Sequence, residues 1–296
     1  MTSRTAADVT PSIPDHITLP PGRLIPLADR GSAFVRHAKG PSGAPTVVLL
    51  HGWGATADLN WFRSYGALIE KYSVVAMDHR GHGRGIRADT RFTLRDCADD
   101  VVALLDTLGI DRAIVVGYSM GGTIAQVLWR QHPDRMRGIV LCATAATFRS
   151  TARERAMFAA IMPTTAIGKL TPARLRNSAA LKIMLSKDDR ELRLWAQAEI
   201  AKHDWMRVLE AGREIGNFDS SGWISGVDVP AAQVMTIHDE IVSLLRQQQL
   251  ADLIPQASLH LVPGGHSVCI EGPEAFVPAL VRAIDAVAVK PLSGTI

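Results

Sequence analysis

A single serine lies at the centre of a glycine-rich turn between an apolar run and a helical pattern. Residues 113–116 are apolar and rich in β-branched side chains, which predicts a short buried strand. Gly117 and Gly121 flank Ser119 in the order G-x-S-x-G, and a side chain on either glycine would crowd the turn or the helix after it. Backbone N–H groups at the start of that helix favour a developing negative charge. Ser119 is therefore a candidate nucleophile.

Such a serine needs partners elsewhere in the chain. Its hydroxyl attacks only when a base takes its proton, and imidazole titrates near neutral pH. A carboxylate can hold that imidazole in one tautomer. The chain contains 10 histidines and 29 acidic residues, so residue types alone leave the partners open.

The strand, turn and helix around Ser119 resemble the nucleophile elbow of the α/β-hydrolase family. The resemblance extends over about residues 24–288. It implies a mostly parallel central sheet flanked by helices, with an inserted helical cap. The family's chain order of serine, acid and histidine implies a catalytic triad of Ser119, Asp239 and His266. His266 follows the last predicted strand in a glycine-rich loop, which favours it over His238 and His260.

The acid is implied by the family pattern G-x-x-D-x-x-V after a strand. Asp239 and Val242 match this pattern, whereas Thr236 stands where the family has glycine. Two other acids compete for the role. Asp228 precedes the strand at 230–237, which predicts the wrong end of the sheet, and Glu240 should point away from the site.

The oxyanion hole is implied by a second match. The apolar run 46–50 predicts a central strand, and His51 and Gly52 follow it directly. The resemblance implies that the backbone N–H groups of Trp53 and Met120 are the two donors. His51 and Gly52 are expected to support this loop. Two donors fixed before reaction are what a tetrahedral oxyanion requires.

The sequence predicts an insertion within the α/β core. Residues 21–143 and 229–290 are expected to form the core, 144–228 a helical cap, and 1–20 a disordered tail. Strand-like runs are absent from the cap, where helices are predicted over 153–161, 172–185 and 190–206, with Gly212 and Gly216 as breaks. Four large side chains could line an apolar pocket or pack the cap onto the core: Met184, Trp195, Trp205 and Met206. Three arginines lie near the start of the predicted cap and are expected to form a solvated helix face: Arg149, Arg153 and Arg155.

Composition excludes several classes of function. Hydrophobic residues make up 47% of the 296 residues, charged residues make up 21%, and the net charge is only +3. The sequence lacks a basic run interleaved with aromatics, so nothing indicates nucleic-acid binding. No apolar stretch is long enough for a membrane span. His79 and His82 lack a third metal ligand at a sensible spacing, and the three cysteines are odd in number and lack metal spacing. We expect a cytoplasmic protein without metal or cofactor; the oligomeric state is open.

These features predict a carboxylic ester hydrolase that acts on a small or lipid-like apolar substrate through an acyl-serine. Ser119 argues against epoxide hydrolases and haloalkane dehalogenases, which carry aspartate at the elbow. Other serine-triad chemistry stays open: thioesterase, lactonase, C–C bond hydrolase, acyltransferase and perhydrolase. A small-molecule receptor that retains the triad is the alternative from another class.

Overall fold

A central sheet organises the computed structural model, which describes residues 13–149 and 190–289. Its order is β1-β2-β4-β3-β5-β6-β7-β8. The strands are β1 Gly22–Leu27, β2 Gly31–Ala38, β3 Thr46–Leu50, β4 Ser73–Met77, β5 Ala113–Tyr118, β6 Met136–Cys142, β7 Ala231–Thr236 and β8 Ser258–Val262. The strands β1, β2 and β4 pair antiparallel, and every pairing from β4 through β8 is parallel. The mostly parallel sheet predicted from the sequence is confirmed.

Apolar runs form the central strands because helices cover both faces of the sheet. All six residues of β5 and all six of β7 are buried. Alternate residues of β3 point into two separate apolar clusters, with Val48 in one and Val47 in the other. This is the pattern of a parallel sheet covered on both faces.

The helices are α1 Ala57–Trp61, α2 Tyr65–Ile69, α3 Leu94–Leu108, α4 Met120–Gln131, α5 Arg190–Ala201, α6 Trp205–Asn217, α7 Leu244–Leu253, α8 Val268–Glu271 and α9 Pro273–Ala288. Thr93 caps the N-terminus of α3, where its hydroxyl accepts the Asp96 N–H at 3.0 Å. Gly109 ends this helix with φ of 67°. The position after the last helical turn often has a left-handed backbone conformation, which favours glycine.

One helix is shorter than the sequence predicts, and one turn divides a helical segment. The turn separates α1 from α2, where the Ser64 N–H bonds to the Trp61 carbonyl at 2.8 Å. The expected helix 190–206 ends at Ala201, and Asp204 starts α6 by accepting the N–H groups of Met206 and Arg207. A strong N-cap begins a new helix there.

Gly212 and Gly216 were expected to break a helix, but both lie inside α6. The structure gives a reason for Gly212. A Cβ at this position would lie 2.6 Å from the indole of Trp53, so the missing side chain makes room for that ring.

The chain is packed from before the boundary expected at residue 21, since Pro14 and Ile17 are buried. The predicted helices 153–161 and 172–185, together with Arg153, Arg155 and Met184, lie outside the described residues. Within the two described ranges, no helix has both the length and the apolar composition needed to cross a bilayer.

Candidate active site

Ser119 sits at the sharp turn between β5 and α4. Its backbone has φ of 53° and ψ of −114°, a conformation that costs energy for any residue with a Cβ. A Cβ on Gly117 would overlap the carbonyl of Gly121, and a Cβ on Gly121 would overlap the carbonyl of Leu50. Both glycines of the G-x-S-x-G pattern are therefore required for the turn to close. The turn holds Ser119 at the carboxyl end of β5, beside the ends of the neighbouring parallel strands.

The structure brings Ser119, His266 and Asp239 into one hydrogen-bonded chain. His266 Nε2 lies 3.0 Å from Ser119 Oγ, and His266 Nδ1 lies 2.8 Å from Asp239 Oδ2. Asp239 follows β7 and His266 follows β8, so both loops emerge at the same edge of the parallel sheet as the elbow. Side chains that are 147 and 27 residues apart in sequence meet for this reason.

Asp239 is held by more donors than His266 alone. Its Oδ1 accepts the backbone N–H groups of Ile241 at 2.9 Å and Val242 at 2.8 Å. Its Oδ2 accepts the hydroxyl of Thr236 at 2.7 Å. Burial alone would raise the pKa of Asp239, but hydrogen bonds from His266, Thr236 and Val242 outweigh burial and hold that pKa below its usual range. The carboxylate stays ionised.

Thr236 replaces the glycine of the family pattern, and the structure gives this departure a role. Besides donating to Asp239, the Thr236 hydroxyl accepts from Gln247 Nε2 at 2.9 Å, and Gln247 also donates to the Val242 carbonyl at 2.8 Å. Gln247, in α7, went unnoticed in the sequence because no local pattern links it to the loop. The rival acids lie elsewhere: Asp228 accepts from Trp129 Nε1 at 3.0 Å, and Glu240 is exposed.

The loop after β3 runs alongside the serine. A Cβ on Gly52 would lie 3.5 Å from Ser119 Cβ. His51 Nε2 accepts the His79 N–H at 2.9 Å, so its proton is on Nδ1, which donates to the Gly52 carbonyl at 2.8 Å. Burial lowers the pKa of His51 to about 3, which keeps the ring neutral. Both ring nitrogens of His51 therefore bond to backbone groups, one of which belongs to this loop.

Two backbone donors are free beside Ser119. Among the residues that the structure describes, neither the Trp53 N–H nor the Met120 N–H has a hydrogen-bond partner. The Gly52 N–H is not available, because it donates to Asn60 Oδ1 at 2.9 Å. Asn60 is a second residue that sequence reasoning missed, since no helical or strand pattern relates it to Gly52, eight positions away.

A small cavity of about 90 Å³ opens at Ser119. It is lined by Gly52, Trp53, Ala55, Asn60, Tyr118, Ser119, Ile241, His266, Ser267, Cys269 and Ile270. Most of this lining is apolar. Neither Trp195 nor Trp205 lines the cavity. Trp195 is buried against Phe62 of the core, with ring centroids 5.4 Å apart, so it packs α5 onto the core.

Three other residues that the sequence analysis singled out do not line this cavity. Arg149 donates to Asn217 Oδ1 at 2.6 Å, which ties the start of the insertion to the end of α6. His79 and His82 are buried beside His51, with ring centroids 4.3 and 5.3 Å from its ring. Over residues 13–149 and 190–289, no three His, Cys, Asp or Glu side chains are arranged to hold a metal ion.

Comparisons with known proteins agree on the fold. The family model of the alpha/beta hydrolase fold matches residues 45–273. A protein of Caulobacter sp. (strain K31), named provisionally as carbamate hydrolase RutD, is 28% identical over 261 residues, covering 83% of this chain and 92% of the relative. The 3-oxoadipate enol-lactonase 2 of Acinetobacter baylyi is 24% identical over 246 residues, covering 80% and 87%. An esterase from Exiguobacterium antarcticum superposes with a TM-score of 0.77 at 19% identity, covering 89% of this chain and 99% of that one.

Proposed function

The chain belongs to the alpha/beta hydrolase fold family, and from that membership we propose that it hydrolyses a carboxylic ester through an acyl-serine intermediate. One observation carries the proposal. Ser119 Oγ, His266 and Asp239 are joined by hydrogen bonds of 3.0 and 2.8 Å. A serine activated by an adjacent histidine, which a carboxylate orients in turn, is the arrangement that acyl transfer requires.

Each side chain has one role in the proposed reaction. His266 Nε2 takes the proton of Ser119 Oγ as that oxygen attacks the ester carbonyl. Asp239 holds the proton on His266 Nδ1 and stabilises the imidazolium that forms. The Trp53 and Met120 N–H groups donate to the oxyanion. His266 then protonates the leaving alcohol, and water repeats the sequence on the acyl-serine.

The cavity at Ser119 supports a short acyl group. An engineered cavity of about 150 Å³ in another protein holds benzene, which has six heavy atoms. By proportion, a cavity of about 90 Å³ suits an acyl chain of roughly two to four carbons. The Caulobacter and Acinetobacter relatives are named for hydrolysing a carbamate and an enol-lactone, whose cleavage would use the same acyl-serine step.

We assign residues 144–228 as a cap on a core formed by 21–143 and 229–290. Support comes from α5 and α6, which lie between β6 and β7 in sequence. Trp195 of α5 packs on the core, and α6 contacts the loop after β3 through the ring of Trp53.

Steady-state hydrolysis of p-nitrophenyl esters from acetate to octanoate tests the proposal. We expect turnover by the wild type, with the highest kcat/KM for esters of two to four acyl carbons. Ser119→Ala should lose this turnover and keep the wild-type melting temperature. A lactone and an aryl carbamate complete the panel, since preference for either would replace the ester as substrate. No turnover of any of these compounds by the wild type, or full turnover by Ser119→Ala, would overturn the proposal.

A further inference from the structure

We propose that His203, in the link between α5 and α6, is a positioning residue for the oxyanion loop, defined as residues 51–54. The proposal rests on the function proposed above. His203 Nε2 donates to the Gly54 carbonyl at 2.8 Å, and His203 Nδ1 accepts the Gly83 N–H at 2.7 Å. Because a backbone N–H can only donate, Nδ1 carries no proton and the tautomer is fixed. One buried imidazole therefore joins two loops of the core through the insertion.

A second contact from the insertion holds the neighbouring residue of the same loop. Trp53 Nε1 donates to the Val208 carbonyl of α6 at 2.6 Å. The ring fits because Gly212 has no side chain: a Cβ there would lie 2.6 Å from Trp53 Cζ2. Trp53 is also the residue whose backbone N–H we assign to the oxyanion hole. The insertion thus binds Trp53 by its side chain and Gly54 by its carbonyl.

The oxyanion loop is held from two sides. On the core side, Asn60 accepts the Gly52 N–H at 2.9 Å, and His51 donates to the Gly52 carbonyl at 2.8 Å. On the insertion side, the anchors are His203 and the Val208 carbonyl. Gly54 has φ of 70°, so the chain turns sharply between the two sets of anchors. Loss of the insertion-side anchors frees Trp53 and Gly54, the half of the loop that carries the proposed oxyanion donor.

The consequence is a coupling between the insertion and the chemical step. An oxyanion donor acts only when it is fixed before the reaction, at the position that the oxyanion will occupy. A misplacement of about 1 Å caused by a distant mutation can cost roughly 100-fold in rate. A substrate or inhibitor that shifts the segment 203–212 would therefore change kcat without touching Ser119.

His203→Leu removes both hydrogen bonds at similar volume, and His203→Gln offers an amide donor and acceptor in their place. Gly212→Ala favours the helix but pushes the indole of Trp53 away. The matched control is Glu210→Ala, which removes the bonds that Glu210 accepts from the Phe92 N–H at 2.9 Å and from Arg207 at 2.6 Å. Glu210 has no hydrogen bond to the oxyanion loop. The measurements are kcat and KM with p-nitrophenyl acetate per active site, titrated with a fluorophosphonate, and the inhibition constant of an alkyl boronic acid.

We expect His203→Leu to lower kcat per titrated site by about 10- to 100-fold, with KM within about threefold. The boronic acid, which forms a tetrahedral adduct, should lose affinity by the same factor. His203→Gln should recover most of the loss, Gly212→Ala should share it, and Glu210→Ala should keep the wild-type kcat.

Wild-type kcat and boronic acid affinity in both His203→Leu and Gly212→Ala would overturn the proposal. If His203→Leu does not fold, wild-type kcat and boronic acid affinity in Gly212→Ala alone would overturn the proposal. A wild type that neither reacts with the fluorophosphonate nor turns over would instead remove the proposed function, and this inference with it.

Discussion

Replacement of Asp239 by asparagine changes one atom in a fully assigned hydrogen-bond pattern. Oδ1 accepts two backbone N–H groups, from Ile241 and Val242, so the asparagine oxygen must stay on that side. The new NH2 group then occupies the Oδ2 position and faces His266 Nδ1. Because both of these nitrogens cannot donate to each other, His266 must move its proton to Nε2. In that tautomer it cannot take the proton of Ser119.

The size of the effect follows from this tautomer change. In a serine protease the same substitution lowers kcat by roughly 10⁴-fold while the geometry stays intact. That factor corresponds to about 5 kcal/mol of activation free energy. Here the backbone donors fix the asparagine orientation, and the Thr236 hydroxyl can turn to accept from the new NH2 group. We therefore expect the amide to stay in place and kcat to fall by about 10³- to 10⁴-fold.

The assay is single-turnover and steady-state hydrolysis of p-nitrophenyl acetate, with thermal melting to confirm the fold. Glu240→Gln and Asp228→Asn are matched controls, since each removes one negative charge from the same region of sequence. Both should keep activity within about threefold, because neither carboxylate contacts His266. Asp239→Asn with kcat within tenfold of wild type, or a large loss in Glu240→Gln, would refute the tautomer reasoning.

Three further predictions concern the same framework. Thr236→Val removes a hydroxyl donor from Asp239 and should lower the free energy of unfolding by about 1–2 kcal/mol in urea titrations, so unchanged stability would contradict its role. Gly121→Ala places a Cβ on a backbone carbonyl and should abolish fluorophosphonate-reactive sites, whereas a full titre would show that the turn tolerates it. Stability should fall as pH drops below about 6.5, because burial lowers the pKa of His51 to about 3 and of His203 to about 4. Urea midpoints between pH 7 and pH 4 measure this, and a flat profile would contradict it.

The sign of the pH effect comes from which state binds protons. Between pH 6.5 and the folded pKa values, the unfolded chain protonates these two histidines and the folded chain does not, so each costs up to about 1.4 kcal/mol per pH unit. Asp78 works in the opposite direction, because burial raises its pKa to about 6 and the folded state takes up its proton first. His79 and His82 also have pKa values lowered by burial, so the histidines dominate.

Much of the core could be predicted from the sequence because its signals are local. The apolar run 46–50 predicted β3 with the bounds that the structure has. The glycines around Ser119 predicted the elbow because the turn itself demands them. The assignment of Asp239 and His266 needed the resemblance, since nothing local marks which acid and which histidine meet.

What could not be predicted depends on contacts distant in sequence. The bond between His203 and the Gly54 carbonyl spans 149 positions, and the bond from Trp53 to Val208 spans 155. Gly212 was misread as a helix break because only the ring of Trp53, packed against it in three dimensions, explains a glycine there. Asn60 differs, because it lies only eight positions from Gly52, but the bond from the Gly52 N–H to its amide oxygen belongs to no helical or strand pattern.

The most direct test of the central claim is intact-protein mass spectrometry after reaction with a fluorophosphonate, followed by peptide mapping. A nucleophile activated by His266 predicts one adduct per chain, on Ser119, formed quickly by the wild type and absent from Ser119→Ala. His266→Ala should form it orders of magnitude more slowly. An adduct on another residue, or none on a folded wild-type chain, would contradict the assignment of Ser119 as the nucleophile.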